Sequence, residues 1–185
     1  LGTVGPGGRG SVAAAGLEGE VDVVVGTLGK ALGSYGAFAC ASAETVDFLL
    51  NSARPFIFST APPPPAIGAA RAALAILRAE PERVERLREN ATTLRAALAA
   101  AGFATPGSTQ VVPILVGEAE PTMRLCELAL ERGVFAQGIR PPTVPAGSSR
   151  LRLTVMATHQ PEELREAAAA LAAAAAELGL VPLAA

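Results

Sequence analysis

The stretch Val21-Asp22-Val23-Val24-Val25-Gly26-Thr27-Leu28-Gly29-Lys30-Ala31-Leu32-Gly33-Ser34-Tyr35-Gly36 decides how this chain is read. A β-branched run opens it, glycines at 26, 29, 33 and 36 break it, and Lys30 stands among them. Lys30 is the only lysine in the chain; wherever else a fixed positive charge is placed, it is arginine. Guanidinium stays protonated, whereas a desolvated lysine amine can give up its proton and attack a carbonyl to form a Schiff base. The residues alone leave two readings open: a solvated cation at a strand end, or a reactive amine. The glycine density favours the second, because glycine is needed where backbone is approached closely or φ is positive. Thr27, three residues before Lys30, offers a hydroxyl to an anionic group next to the amine.

The segment from Gly26 to Phe38 resembles the lysine segment of the α-oxoamine synthases, pyridoxal-phosphate enzymes of the fold-type I aminotransferase class. That resemblance implies that Lys30 carries pyridoxal 5'-phosphate as a Schiff base and that Thr27 binds near its phosphate. It implies an α/β fold: the C-terminal part of the large domain of a fold-type I PLP-dependent transferase, followed by a small C-terminal α+β domain. Residues 1–80 would belong to the large domain, 81–101 to a linking helix, and 102–185 to the small domain. In the family, a glycine-rich loop like Leu1–Gly10 follows an Asp-Glu-Ala-His-Gly segment whose Asp pairs with the pyridine nitrogen. The expectation is therefore a C-terminal fragment of a longer chain, inactive alone.

Composition sets wider bounds. The chain has 185 residues, 50% hydrophobic and 17% charged, with a formal net charge of -2. That is a globular composition, and the slight acidity without a basic block argues against a nucleic-acid surface. Cys40 and Cys126 lie far apart and form neither a metal motif nor a disulfide framework, so two reduced, buried thiols in a cytoplasmic protein are expected, with no metal. The alanine tract of residues 167–176 is interrupted by Leu171 and flanked by glutamates, which suits a water-exposed helix better than a membrane span. No basic-plus-apolar leader opens the sequence.

Along the chain, Ser11 is a candidate N-cap for a short helix through Ala15. Arg9, in the preceding loop, is either an anion contact or simply solvated. Strands are expected at Val21–Val25 and Tyr35–Ala41, and a helix at Ala43–Ala53 capped by Ser42. Arg54-Pro55-Phe56-Ile57-Phe58-Ser59-Thr60 reads as a short aromatic strand ending in two hydroxyls. The resemblance adds that Ser59 and Thr60 reach the phosphate of a partner subunit's cofactor, which implies a homodimer; hydroxyl donors to a dianion are strong ones. A proline run at Pro62–Pro65 precedes helices at 66–79 and 81–101. The second is amphipathic, with Val84, Leu87, Ala91, Leu94, Ala97 and Leu98 on one face. Gly102 ends it. Strands at Val111–Val116, Val134–Gln137 and Arg150–Val155 then alternate with helices at Pro121–Arg132 and Glu162–Leu178, an α+β pattern.

A second cluster follows the proline-stiffened loop Gly138–Gly147. In a strand, Arg150 and Arg152 share one face and Leu151 and Leu153 the other. Two readings stand: an edge strand with exposed arginines, or an anion site, since guanidinium forks match carboxylates. The Arg-Leu-Arg-Leu strand resembles the family's, and the resemblance places the substrate α-carboxylate on Arg152. The Arg-Pro-Pro-Thr-Val-Pro loop resembles most closely the branch that makes 8-amino-7-oxononanoate in biotin synthesis, in which the threonine, here Thr143, contacts substrate. His159 is expected to cap or lie at the surface, and Tyr35 to pack.

The expectation is thus an acyltransferase condensing L-alanine, with loss of CO2, with pimeloyl-CoA or a pimeloyl acyl carrier protein. Two alternatives stay open. One is a sister α-oxoamine synthase of the glycine C-acetyltransferase, 5-aminolevulinate synthase or serine palmitoyltransferase type. The other is a non-catalytic subunit of a dimer.

Overall fold

The computed structural model describes residues 1–180, and Val181–Ala185 lie outside it. The chain divides into two compact units, Leu1–Val84 and Glu85–Ala185. In the first, a 3-10 turn at Pro6–Gly8 leads into α1 (Ser11–Ala15), β1 (Val24–Thr27), β2 (Ala37–Cys40), α2 (Ala43–Ser52), α3 (Arg54–Ile57) and α4 (Pro64–Ala79). α5 (Glu82–Ala100) begins here and runs into the second unit, which continues with β3 (Val111–Gly117), α6 (Ala119–Glu131), β4 (Gln137–Ile139), β5 (Ser149–Thr154) and α7 (Pro161–Glu177).

The first unit is a hairpin with helices. β1 and β2 pair antiparallel, from Val24 opposite Cys40 to Thr27 opposite Ala37. The expected strand at Val21–Val25 is thus displaced toward the lysine: Val21–Val23 have no paired strand among the described residues, and pairing fixes the element rather than the valine run. The second strand is shorter than the expected Tyr35–Ala41. Tyr35, expected to pack, is 69% exposed in the turn, and Cys40, expected to be buried, is exposed at the end of β2, on the groove side with Phe38. Ser11 does not cap α1; Gly10 occupies the cap position and Ser11 is the first helical residue. Arg9 pairs with Glu18 at 3.0 Å. Ser42 caps α2 as expected, accepting from the Thr45 N–H at 3.3 Å.

The aromatic segment at 54–60 is not a strand. Arg54–Ile57 form one helical turn, with the N–H groups of Phe56 and Ile57 donating to the Ala53 carbonyl and that of Phe58 to Arg54. Pro55, in the first turn, presets helical φ and removes a donor a strand would need. The Arg54 guanidinium lies 5.3 Å from the centroid of the Phe58 ring, a stacking favoured by the one-turn spacing of a helix, whereas an extended strand would set the two residues about 13 Å apart.

The second unit holds the main core. Its sheet runs β3-β5-β4, all antiparallel, with β5 central. Leu151 and Leu153 point into a cluster with Leu94, Leu98, Val112, Ile114, Leu125, Leu128 and Leu171. The α5 face expected from its periodicity is the buried one: Val84, Leu87, Ala91, Leu94 and Leu98 are buried and Ala97 is half-buried. Its opposite face carries Arg88–Glu85 at 3.0 Å. β4 begins at Gln137 rather than Val134, because the Val134 N–H closes the end of α6 on the Ala129 carbonyl. His159 lies just before α7: its Nδ1 accepts from the Met156 N–H at 3.3 Å, while Gln160 and Glu163 form the capping box. Cys126 is half-buried, its Sγ donating to the Ala136 carbonyl at 2.8 Å. No helix among the described residues is long and apolar enough to cross a membrane.

Candidate active site

Lys30 sits in the nine-residue turn that joins β1 to β2, Leu28–Gly36. Three backbone bonds shape that turn: Leu28 N–H to the Gly36 carbonyl, Ser34 N–H to Leu28, and Gly33 N–H to Lys30, each at 2.9 Å. Gly33 (φ 56°) and Gly36 (φ 98°) hold the left-handed angles that this path requires. At Gly26 the reason for glycine is different: an added Cβ would lie 2.3 Å from Cζ of the Phe38 ring, directly across the hairpin. The expectation of close approach or positive φ is met at these positions.

The turn is fastened on its inner side. Leu32 is buried at 7% exposure, and Ser34 Oγ donates to the Ala66 carbonyl in the first turn of α4 at 2.6 Å. Lys30 itself points outward. Its Nζ donates to Thr27 Oγ1 at 3.1 Å, and among the described residues it takes part in no ion pair. The predicted pair is therefore brought together: Thr27 is the last residue of β1, Lys30 the third of the turn, and the turn folds one back on the other. An amine with no carboxylate partner is free to bond to an aldehyde, and a neighbouring hydroxyl can donate to an oxyanion.

The other expected site residues are positioned less tightly. Ser59 Oγ donates to the Pro55 carbonyl within its own helical turn, and Thr60 follows it, exposed, ahead of the proline run. Neither is hydrogen-bonded to Lys30 or Thr27 among the described residues. In the second unit, Arg152 is exposed on β5, opposite Pro113 on one side and Gln137 on the other. Arg150 is half-buried and its Nε donates to the Ser148 carbonyl at 2.9 Å. β5 is central, so the edge-strand alternative falls, and the two arginines share the sheet face opposite the leucines. Thr143 is exposed in the loop before β5, its N–H closing a turn on the Arg140 carbonyl at 3.0 Å.

A groove of about 830 Å³ in the first unit is not this site. Val24, Leu28, Leu32, Phe38, Ile67 and Leu74 are among its lining residues; Lys30 and Thr27 are not. Its lining is mostly apolar, with Arg9, Glu18 and Arg71 also on it.

Comparison with known proteins bears on the same residues. The model of the aminotransferase class I and II family matches residues 3–171. The 8-amino-7-oxononanoate synthase of Geobacter sulfurreducens is 51% identical over 183 residues, 97% of this chain and 47% of the relative. That of Citrifermentans bemidjiense is 50% identical with the same coverage. The chain thus spans about half the length of the curated relatives it matches. Among solved structures, an SPT with a PLP internal aldimine superposes with a TM-score of 0.92 at 31% identity, covering 98% of this chain and 46% of the other. An 8-amino-7-oxononanoate synthase from Francisella tularensis superposes with a TM-score of 0.84 at 23% identity, covering 97% of this chain and 53% of the other, a likeness of fold. The α/β fold expected from the lysine segment is borne out by these superpositions.

Proposed function

The chain belongs to the aminotransferase class I and II family, and from that premise we propose that it is part of an 8-amino-7-oxononanoate synthase of biotin synthesis. The reaction is the condensation of L-alanine with a pimeloyl thioester, on CoA or on an acyl carrier protein, with loss of CO2 and release of the thiol. One observation carries the reading: the single lysine ends at 3.1 Å from a threonine hydroxyl and is claimed by no carboxylate among the described residues. Roughly half-identity to curated synthases over almost the whole chain supports the choice of substrate.

The residues present fit pyridoxal 5'-phosphate, which needs a free primary amine for its aldehyde and hydroxyl donors for its phosphate. That cofactor supplies an electron sink for a carbanion next to nitrogen. Lys30 Nζ is the atom that would hold it, and the same amine would move the alanine Cα proton as base and acid. Thr27 Oγ1 would donate to the phosphate. Ser59 and Thr60 would do so for the cofactor of a second subunit, in a cytoplasmic homodimer, with Ser59 giving up its bond to the Pro55 carbonyl. Arg152 takes the alanine carboxylate on its exposed fork, and Thr143 contacts substrate from the loop. Holding the carboxylate sets which bond to Cα is broken.

Turnover by purified protein carrying this chain tests the assignment. Alanine with a pimeloyl thioester should outpace glycine with shorter acyl thioesters. Preference for glycine or serine would assign a sister synthase, and absence of any lysine-bound aldehyde absorption would leave only a non-catalytic subunit.

A further inference from the structure

Lys30 has an exposed side chain on a turn whose own bonds are all local, so something outside the turn has to fix where the amine stands. Leu32, Ala31 and Ser34 tie the turn to the rest of the first unit. Leu32 is buried, Ala31 presses on the N-terminal loop, and Ser34 Oγ donates to the Ala66 carbonyl at 2.6 Å. At Ala31 the fit is close: a Cβ added to Gly2 would sit 2.5 Å from Ala31 Cβ. Leu32 and Ala31 supply non-directional contact. The Ser34 bond is the directional one, and it spans 32 residues of sequence.

Ser34 also touches the lysine's other neighbour. Its carbonyl lies 3.3 Å from where a Cβ on Gly29 would be, and its N–H closes the turn on Leu28. There is thus little room on either side of Lys30, with Ser34 beside Gly29 and the N-terminal loop beside Ala31. We propose that Ser34 is a positioning residue: its hydroxyl, anchored on the first turn of α4, holds the Lys30 turn so that Nζ stays on Thr27 Oγ1. This inference rests on the reading of Lys30 as the aldehyde-binding amine. Ser34 acts through the backbone of the turn and touches no reacting atom.

Pyridoxal phosphate is added to the protein, sodium borohydride follows at timed intervals, and peptide mapping reads the adduct at Lys30. The amine displaces the aldehyde oxygen as water, and hydride from borohydride reduces the resulting C=N bond. Ser34→Ala should slow trapping at Lys30 by about fivefold and move the absorption band of the unreduced adduct. Ser34→Thr, which keeps the hydroxyl, should restore both. Ser34→Cys, near in size but a weak donor, should behave as Ser34→Ala and serves if the alanine variant fails to fold. Trapping within twofold of the unaltered protein in both Ser34→Ala and Ser34→Cys overturns the inference while leaving Lys30's role standing. A loss of thermal stability with unchanged trapping overturns it as well. No adduct at Lys30 in the unaltered protein overturns the Lys30 reading itself.

Discussion

Residues 1–84 carry the candidate amine and little core; residues 85–180 carry most of the core and a pair of arginines. In the first unit the buried apolar side chains are Leu32, Ala70 and Val84, while Val25, Phe48, Phe56 and Phe58 are 63–75% exposed. In the second, Leu98, Val112, Ile114, Leu125, Leu151 and Leu171 are at most 1% exposed. The contrast teaches that reactivity and packing are separated along this chain: Lys30 is held by turn geometry and a few hydrogen bonds, whereas Arg152 rides on a strand whose alternate residues are locked in a core.

Substitutions can break or sharpen that contrast. Lys30→Ala should produce the largest change in chemistry, abolishing borohydride trapping and lowering turnover by about a thousandfold or more, with no shift in thermal unfolding. Loss of stability in that variant would mean the turn depends on the amine. Leu151→Ala should destabilise the second unit by about 2–5 kcal/mol in urea titration, because a fully buried side chain leaves a cavity. Val25→Ala, at a 71% exposed position, should stay within about 0.5 kcal/mol; a large cost there would show that the face is covered in solution. Asn90→Ala should cost about 1–3 kcal/mol, since Nδ2 of this buried residue donates to the Met156 and His159 carbonyls at 3.0 and 2.8 Å. The smallest effect concerns pH. Its own backbone N–H, and then the Ser42 hydroxyl, hold the Glu44 carboxyl below its ordinary value of 4.5. A depressed carboxyl adds stability above its unfolded value and loses it as the solution is acidified through the folded one. The protection of α2 amides, relative to their intrinsic exchange rates, should therefore fall slightly below about pH 4.5, and Ser42→Ala should remove part of that dependence.

What could be read from the sequence follows the same division. The α5 face was legible because one helical period and one buried face coincide, and the Lys30–Thr27 pair because both lie within one turn. Misreadings cluster where local composition misleads. Phe56-Ile57-Phe58 has the residues of a strand, yet no neighbouring strand is offered and Pro55 favours a helical turn. Tyr35 and Cys40 were expected inside because of residue type, but the first unit has no layer over them. Ser34, Asn90 and Arg95 carried no signal at all. Arg95 donates to the Thr109 and Val111 carbonyls at 2.7 and 2.9 Å, and burial pushes its guanidinium below its ordinary value. Contacts between residues so far apart leave no period in the sequence.

The central place of β5 has a consequence for biosynthesis. Among the described residues, β3 and β4 pair only with β5, which follows both in the chain. Until Ser149–Thr154 has left the ribosome that pairing cannot form, and the apolar run from Val111 to Val116 emerges before the strand it pairs with. Growth of the nascent chain therefore leaves an interval in which that run is open to chaperones or to wrong pairing, closed by a single insertion event.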